Sequence, residues 1–222
     1  MIAFQNVTAR HPDSERPVLQ DFNLALEKGS LTVLLGGSGS GKSTVCALLV
    51  GDLQPEVGSI LVNGVDMTSA RERDRAEHRK MLGMVSSSMP LLDDRNIGEN
   101  IALPLELNGV SPKRREIRLR DVLDRFELTA LASARPQSLS MGERQRAAIG
   151  RAVIAEPYLL IADEPTAHLD VVASQDIANA LIREERRGMT VLITTSDEAF
   201  ASCFPDGRIL RLERIQGHRE LP

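Results

Sequence analysis

Tryptophan is absent from the 222 residues, and one Tyr with five Phe brings the aromatic share to only 3 %. Proteins that bind single-stranded nucleic acid stack bases on such rings, so that class loses its main device. The formal net charge is −4, which removes the overall basic field that would argue for nucleic acid as the main ligand. No nucleic-acid partner is expected. Only two cysteines occur, Cys46 and Cys203, and a chain of this length buries one core without disulfides, so a reducing cytoplasm is the expected compartment. No stretch approaches the ~18 consecutive apolar residues of a membrane span. The opening MIAFQNVTARH has neither a basic region nor a long apolar core, so the chain is expected neither to cross a membrane nor to be exported. Internal repeats and low-complexity segments are missing too.

What is present centres on Leu31 to Val50. An apolar run, LTVLL, reads as a strand buried on both faces, and VCALLV reads as a helix. Between them lies GGSGSGKST, in which Gly36, Gly41, Lys42 and Ser43 match the phosphate-loop pattern G-x-x-x-x-G-K-[ST]. In such a loop (Gly36, Gly37, Ser38, Gly39, Ser40, Gly41, Lys42, Ser43 and Thr44) successive backbone N–H groups wrap the phosphates. Lys42 would reach the terminal phosphates, the Ser43 hydroxyl would bind Mg²⁺, and the helix would point its positive end at the anion. The ligand implied is a nucleoside triphosphate with its metal ion.

Around this loop the pattern alternates. Ile2 to Thr8 and Phe22 to Leu26 read as strands of an N-terminal antiparallel sheet, to which Gly58–Val62 and Val65 return through the hairpin signal Asn63-Gly64. Arg71 to Lys80 reads as an exposed helix. Met81 to Leu105 reads as a strand followed by an irregular segment, and Ser111 to Leu131 as an amphipathic helical insert. Ser140 and Glu143 have the form of a capping box opening a helix that runs to Ala155. Leu159–Ala162 and Val191–Thr195 read as buried strands, with a helix over Val171 to Arg186 between them. Asp206-Gly207 is expected to turn a last hairpin. The class predicted is α/β with a mainly parallel sheet and the ligand at the carboxyl ends of its strands.

Leu159–Ala162 ends in two acids, at the sheet edge where the ligand of such a fold sits. Asp163 would hold Mg²⁺, directly or through water. Glu164 is then the candidate general base that polarises the water attacking the γ-phosphate.

These residues resemble the nucleotide-binding subunit of ABC transporters, and the resemblance covers nearly the whole chain. GGSGSGKST, LSMGERQRAAIGRA, LLIADEPT and Leu169-Asp170 stand in that family's order and at its usual separations. The resemblance implies a P-loop NTPase core of RecA-like form over residues 1–222, with an antiparallel β subdomain and an α-helical subdomain at about 84–140. It implies ATP hydrolysis with ATP and Mg²⁺, and a head-to-tail homodimer holding two ATP molecules at its interface. Ser140 and the backbone at Gly142 would touch the γ-phosphate held by the other copy, with Asp170 nearby. An integral membrane, permease-like subunit would be the partner, and the chain would sit peripherally on the cytoplasmic face of the cell membrane. The segments around Leu91–Arg95, Asn100–Leu105 and Glu143–Arg146 look most like the FtsE, LolD and MacB branch, which serves membrane proteins in cell division, lipoprotein release and efflux.

Several positions depart from the family pattern. His11 aligns with the aromatic that stacks on adenine, and Ser87 with the Gln that links metal and water to the membrane subunit. Met141 replaces the first signature glycine. Ser196 stands where the catalytic switch His is expected; the nearby imidazole, His168, reads first as a solvated loop residue. Two other functions compete. A soluble ABC ATPase of DNA repair or translation needs a coiled coil, zinc insert or second cassette, none of which can be found. A regulatory clamp that closes on ATP yet scarcely hydrolyses it is motivated by Ser87 and Ser196.

Overall fold

A computed structural model describes residues 1–10, 16–86 and 90–213. β1 (Ile2–Arg10) and β2 (Pro17–Leu26) pair antiparallel, Ile2 opposite Leu26 and Phe4 opposite Leu24. β3 (Leu31–Leu35), buried at every residue, leaves for a second sheet, and α1 (Lys42–Val50) follows the glycine loop. β4 (Val57–Val62) returns antiparallel to β1 and turns into β5 (Val65–Asp66) at Asn63 and Gly64, whose φ values of 50° and 83° suit the predicted two-residue turn. The first sheet runs β2-β1-β4-β5.

The rest of the chain is α2 (Glu72–Lys80), β6 (Leu82–Ser86), α3 (Ile97–Leu107), α4 (Pro112–Arg125), α5 (Met141–Val153), β7 (Leu159–Asp163), α6 (Val171–Arg186), β8 (Thr190–Thr195), α7 (Glu198–Ala201) and β9 (Arg208–Arg211). The second sheet has the order β6-β7-β8-β3-β9 and is parallel throughout. Strand periodicity sorts its side chains between two cores. Leu160, Ala162, Val191, Ile193, Val33 and Leu35 face the helices α3 to α7, while Leu159, Ile161, Leu192 and Leu34 face α1 and the antiparallel sheet. The phosphate loop therefore emerges at the seam of both layers.

Two expectations are corrected. Asp206-Gly207 does not turn a hairpin: β9 follows α7 and pairs parallel with β3, Thr32 opposite Arg208. Gly207 instead permits close approach, since a Cβ there would come within 2.9 Å of Leu31 Cδ2. The segment expected to be irregular holds α3, an 11-residue helix opened by the Asn96/Glu99 capping box. Its buried Asn100 accepts from the Leu92 N–H (2.7 Å) and donates to the carbonyls of Leu92, Arg95 and Asn96, which holds the preceding loop against the helix. The exposed helix α2 buries one residue, His78.

Candidate functional site

Gly39 and Gly41 adopt φ of 75° and 102°, values at which a side chain is strained. A Cβ at Gly36 would lie 2.4 Å from the Leu212 carbonyl, so glycine is required there for space. The loop hands the chain to α1 with no side-chain cap at Gly41, whereas α3, α5, α6 and α7 are capped by Asn96, Ser140, Asp170 and Asp197. The first amides of α1 are thus left to an anion. Ser40 adds a buried hydroxyl with no hydrogen-bond partner among the described residues.

The groups around the loop are joined across the sheet. Lys42, 6 % exposed, donates from Nζ to the carbonyls of Gly36 (2.7 Å) and Gly37 (3.1 Å) and stands 3.3 Å from Glu164 Oε1. Ser43 Oγ donates to Asp163 Oδ2 at 3.2 Å, and the Thr194 hydroxyl donates to Asp163 Oδ1. Glu164, with φ of 47°, donates its N–H to the Thr194 carbonyl, and its Oε2 accepts the Ser196 N–H at 3.1 Å. An open cleft of about 820 Å³ runs from Lys42, Ser43, Thr44, Glu164 and Ser196 to an apolar end at Val18, Ala47 and Leu53. A charged, donor-rich end and an apolar end together suit a triphosphate and its base.

The other predicted residues lie elsewhere. Ser140, Gly142, His168 and Asp170 line a second cavity of about 530 Å³ that shares no lining residue with the cleft. Ser140 donates both its N–H and its hydroxyl to Glu143 Oε2, each at 2.7 Å, and accepts the Glu143 N–H, so the predicted capping box forms. These bonds hold the Glu143 carboxyl below its usual range. Asp170 caps α6 by accepting the Ala173 N–H. Met141 and Val172, 52 % and 74 % exposed, give this cavity an apolar rim. His11 and Ser87 fall outside the described residues. Sequence reasoning missed Thr194 and the apolar end at Val18 and Leu53; Thr194 signals itself only by register, because it lies opposite Asp163 in the parallel pair.

A glycine loop closing on an uncapped helix at the carboxyl end of a parallel sheet, beside a Ser–Asp pair, defines a P-loop nucleotide-binding protein. A family model described as ABC transporter matches residues 19–167. The chain belongs to that family, as an ATP-binding subunit of the ATPase kind. It is 42 % identical over 197 residues to the cell division ATP-binding protein FtsE of Haemophilus influenzae, covering 89 % of this chain and 90 % of that protein. To the ABC transporter ATP-binding protein YtrE of Bacillus subtilis it is 37 % identical over 192 residues, 86 % of this chain and 83 % of that one. Among solved structures, the dimer of MJ0796, a bacterial ABC transporter cassette, superposes with a TM-score of 0.84 at 28 % identity, over 98 % of this chain and 100 % of that one. A post-hydrolysis dimer of the same cassette with ADP and Pi matches with a TM-score of 0.84 at 28 % identity, over the whole of both chains.

Proposed function

We propose that the chain binds Mg-ATP in the loop cleft, closes head-to-tail on a second copy, and couples that closure and a slow hydrolysis to a membrane subunit. The observation that carries this reading is the separation of the two cavities: the cleft gathers Lys42, Ser43 and the carboxylates that suit a triphosphate, while Ser140 and Gly142 line a cavity that shares no residue with it. A second copy turned head to tail would bring them there. Residues 1–222 then act as one cassette, with its helical part over about 84–140.

The metal fits. Among the described residues no group of three or more His, Cys, Asp or Glu forms a protein cage. Ser43 Oγ and Asp163 offer hard oxygens, the donor set of an ion that completes its shell with phosphate oxygens and water. When bound, Mg²⁺ neutralises charge that develops on the phosphates. Asp163 is held by Ser43 and Thr194, so its carboxylate is oriented beforehand. Lys42 would exchange its contact with Glu164 for the γ-phosphate, which frees that carboxylate to accept the proton of an attacking water. The Ser196 N–H, which already holds Glu164 Oε2, keeps the base in place. Its side chain is shorter than the imidazole of the family pattern, so one preorganised contact to the γ-phosphate is lost and hydrolysis is slow.

A groove of about 440 Å³, lined by Leu82, Met84, Pro90, Leu103, Pro104 and Arg151, supports docking of a short helix from the membrane subunit. No helix of the described residues is long and apolar enough to cross a membrane, so the partner would supply the span and the chain would sit on its cytoplasmic face. Sedimentation of the wild-type chain with and without Mg-ATP tests the dimer, and phosphate release tests hydrolysis; a monomer that never closes refutes the reading. A crosslinkable cysteine at Asp94 should trap the membrane subunit. Trapping solely from the C-terminal surface would place the partner elsewhere.

A further inference from the structure

α5 and α6 start side by side. At their first turns Gly142 approaches Ala173 so closely that a Cβ on the glycine would stand 3.2 Å from the Ala173 Cβ. Near their far ends both line a cavity of about 300 Å³, through Val153 and Ile154 at the end of α5 and Glu184 and Met189 at the end of α6. α4 lines the same cavity through Arg118, Asp121, Val122 and Arg125, with Asp121 Oδ2 3.4 Å from Arg125 Nε. Arg125 Nη1 donates to both carboxylate oxygens of Glu184 at 2.9 Å, and the two side chains are 20 % and 3 % exposed. One residue on, the Phe126 carbonyl accepts from Arg146 Nε at 3.1 Å, and Arg146 belongs to α5 and lines the Ser140 cavity. The end of α4 therefore bonds to both helices.

Burial pushes the Glu184 carboxyl up, and the Arg125 guanidinium opposes the shift. Such a pair is a poor way to gain stability, because desolvating both ions offsets most of their attraction. What it supplies is direction: a guanidinium fork meets a carboxylate in one geometry. We propose that Arg125 and Glu184 form a positioning strut that sets the angle between α5 and α6, and so aims the Ser140 end of α5 at the nucleotide held by the second copy. Neither residue touches nucleotide. ATP binding to a single chain is independent of the strut, while closure and turnover depend on it. This rests on the head-to-tail reading above.

The test compares the wild type with Arg125→Met/Glu184→Leu, in which two apolar side chains replace the pair. Apolar replacement of a buried ion pair is often neutral or stabilising, so this variant should melt no lower than wild type. Its Kd for ATP, measured on the single chain by calorimetry, should stay unchanged. Misplacing a catalytic element by about 1 Å costs up to ~10²-fold, so kcat should fall roughly ten- to a hundredfold with little change in KM. Wild-type turnover in the folded apolar variant overturns the proposal, and so does a loss of ATP affinity that parallels the loss of kcat. If that variant does not fold, Arg125→Lys, which keeps the charge beside Glu184 but not the fork, takes its place, and wild-type turnover there is equally fatal. ATP-driven dimerisation of the wild type is measured alongside. A wild type that neither dimerises nor hydrolyses ATP takes down the head-to-tail reading and this one together, whereas a working wild type with an indifferent strut removes this one alone.

Discussion

The loop cleft and the Ser140 cavity are built from similar parts, helix N-termini and acids at the ends of secondary structure, yet they are finished to different degrees. In the cleft Lys42, Ser43, Asp163, Thr194, Glu164 and Ser196 are bonded to one another across two strand ends and a helix, and α1 is left without a cap. In the second cavity both helices are capped by their own residues, Ser140 and Asp170, and the rim leaves Met141 and Val172 exposed. On the proposed reading, affinity for nucleotide is a property of one chain. Turnover, on that reading, is a property of two.

Replacing the base should break this comparison most. Glu164→Gln keeps the size of the side chain but cannot accept the proton of water, and general-base losses run to ~10²–10⁴-fold. Single-turnover phosphate release should fall by that factor while ATP still binds, and the ATP-bound dimer should accumulate in sedimentation. A Glu164→Gln chain that hydrolyses at the wild-type rate would assign the base elsewhere. Next in size is Ser196→His. A preorganised contact to developing charge is worth ~10²–10³ in rate, so restoring an imidazole should raise the single-turnover rate toward that factor. No gain would mean that another group, His168 of the second copy being the first suspect, already fills the place.

Lys42→Ala then separates the two cavities. Losing a charge-assisted contact costs ~1.5–3 kcal/mol, or roughly ten- to a hundredfold in ATP affinity of the single chain. Ser140→Ala, on the other face, should leave that affinity alone and weaken only the ATP-driven dimer. Calorimetry and sedimentation on both variants decide it; equal losses of affinity would erase the distinction.

Much of the cleft was legible because its chemistry is contiguous: Gly36 to Thr44 form one loop and Asp163-Glu164 end one apolar run, so spacing alone places them. The parallel sheet followed from alternating helices and buried strands. What stayed hidden depends on contacts between distant segments. Thr194 reads as one more β-branched residue in a buried strand, and only its register opposite Asp163 makes it a carboxylate partner. Val18 and Leu53 are ordinary apolar residues until two layers set them at one end of the cleft. In α3 the Asn96-x-x-Glu99 capping signal was present, but Pro104 and the mixed composition around it masked the helix. Gly207 looked like a turn residue because its actual constraint, contact with Leu31, comes from a strand far back in the chain.

The smallest effect falls on the cleft side alone. His78, 5 % exposed, bonds through Nε2 to the Leu49 carbonyl at 2.8 Å and through Nδ1 to the Tyr158 hydroxyl at 2.7 Å. A carbonyl only accepts, so Nε2 carries the proton, and Nδ1 accepts from the Tyr158 O–H. The ring thereby ties the end of α1 to the residue that leads into β7. Burial holds its pKa below the ordinary imidazole range, and the neighbouring Arg79 adds to the shift. As pH falls through the ordinary histidine value of ~6.5, the unfolded chain takes up a proton that the folded chain refuses. The contribution of His78 is therefore complete above that pH and declines below it. The melting temperature of the chain should drop between about pH 7 and pH 5, and part of that slope should vanish in His78→Gln, which keeps a donor for Leu49 but does not titrate. Identical slopes in the two proteins would mean that His78 titrates alike in both states. The acid sensitivity would then belong to the carboxylates, among them the capping Glu143 on the other face, whose lowered pKa makes it lose its contribution only at more acidic pH.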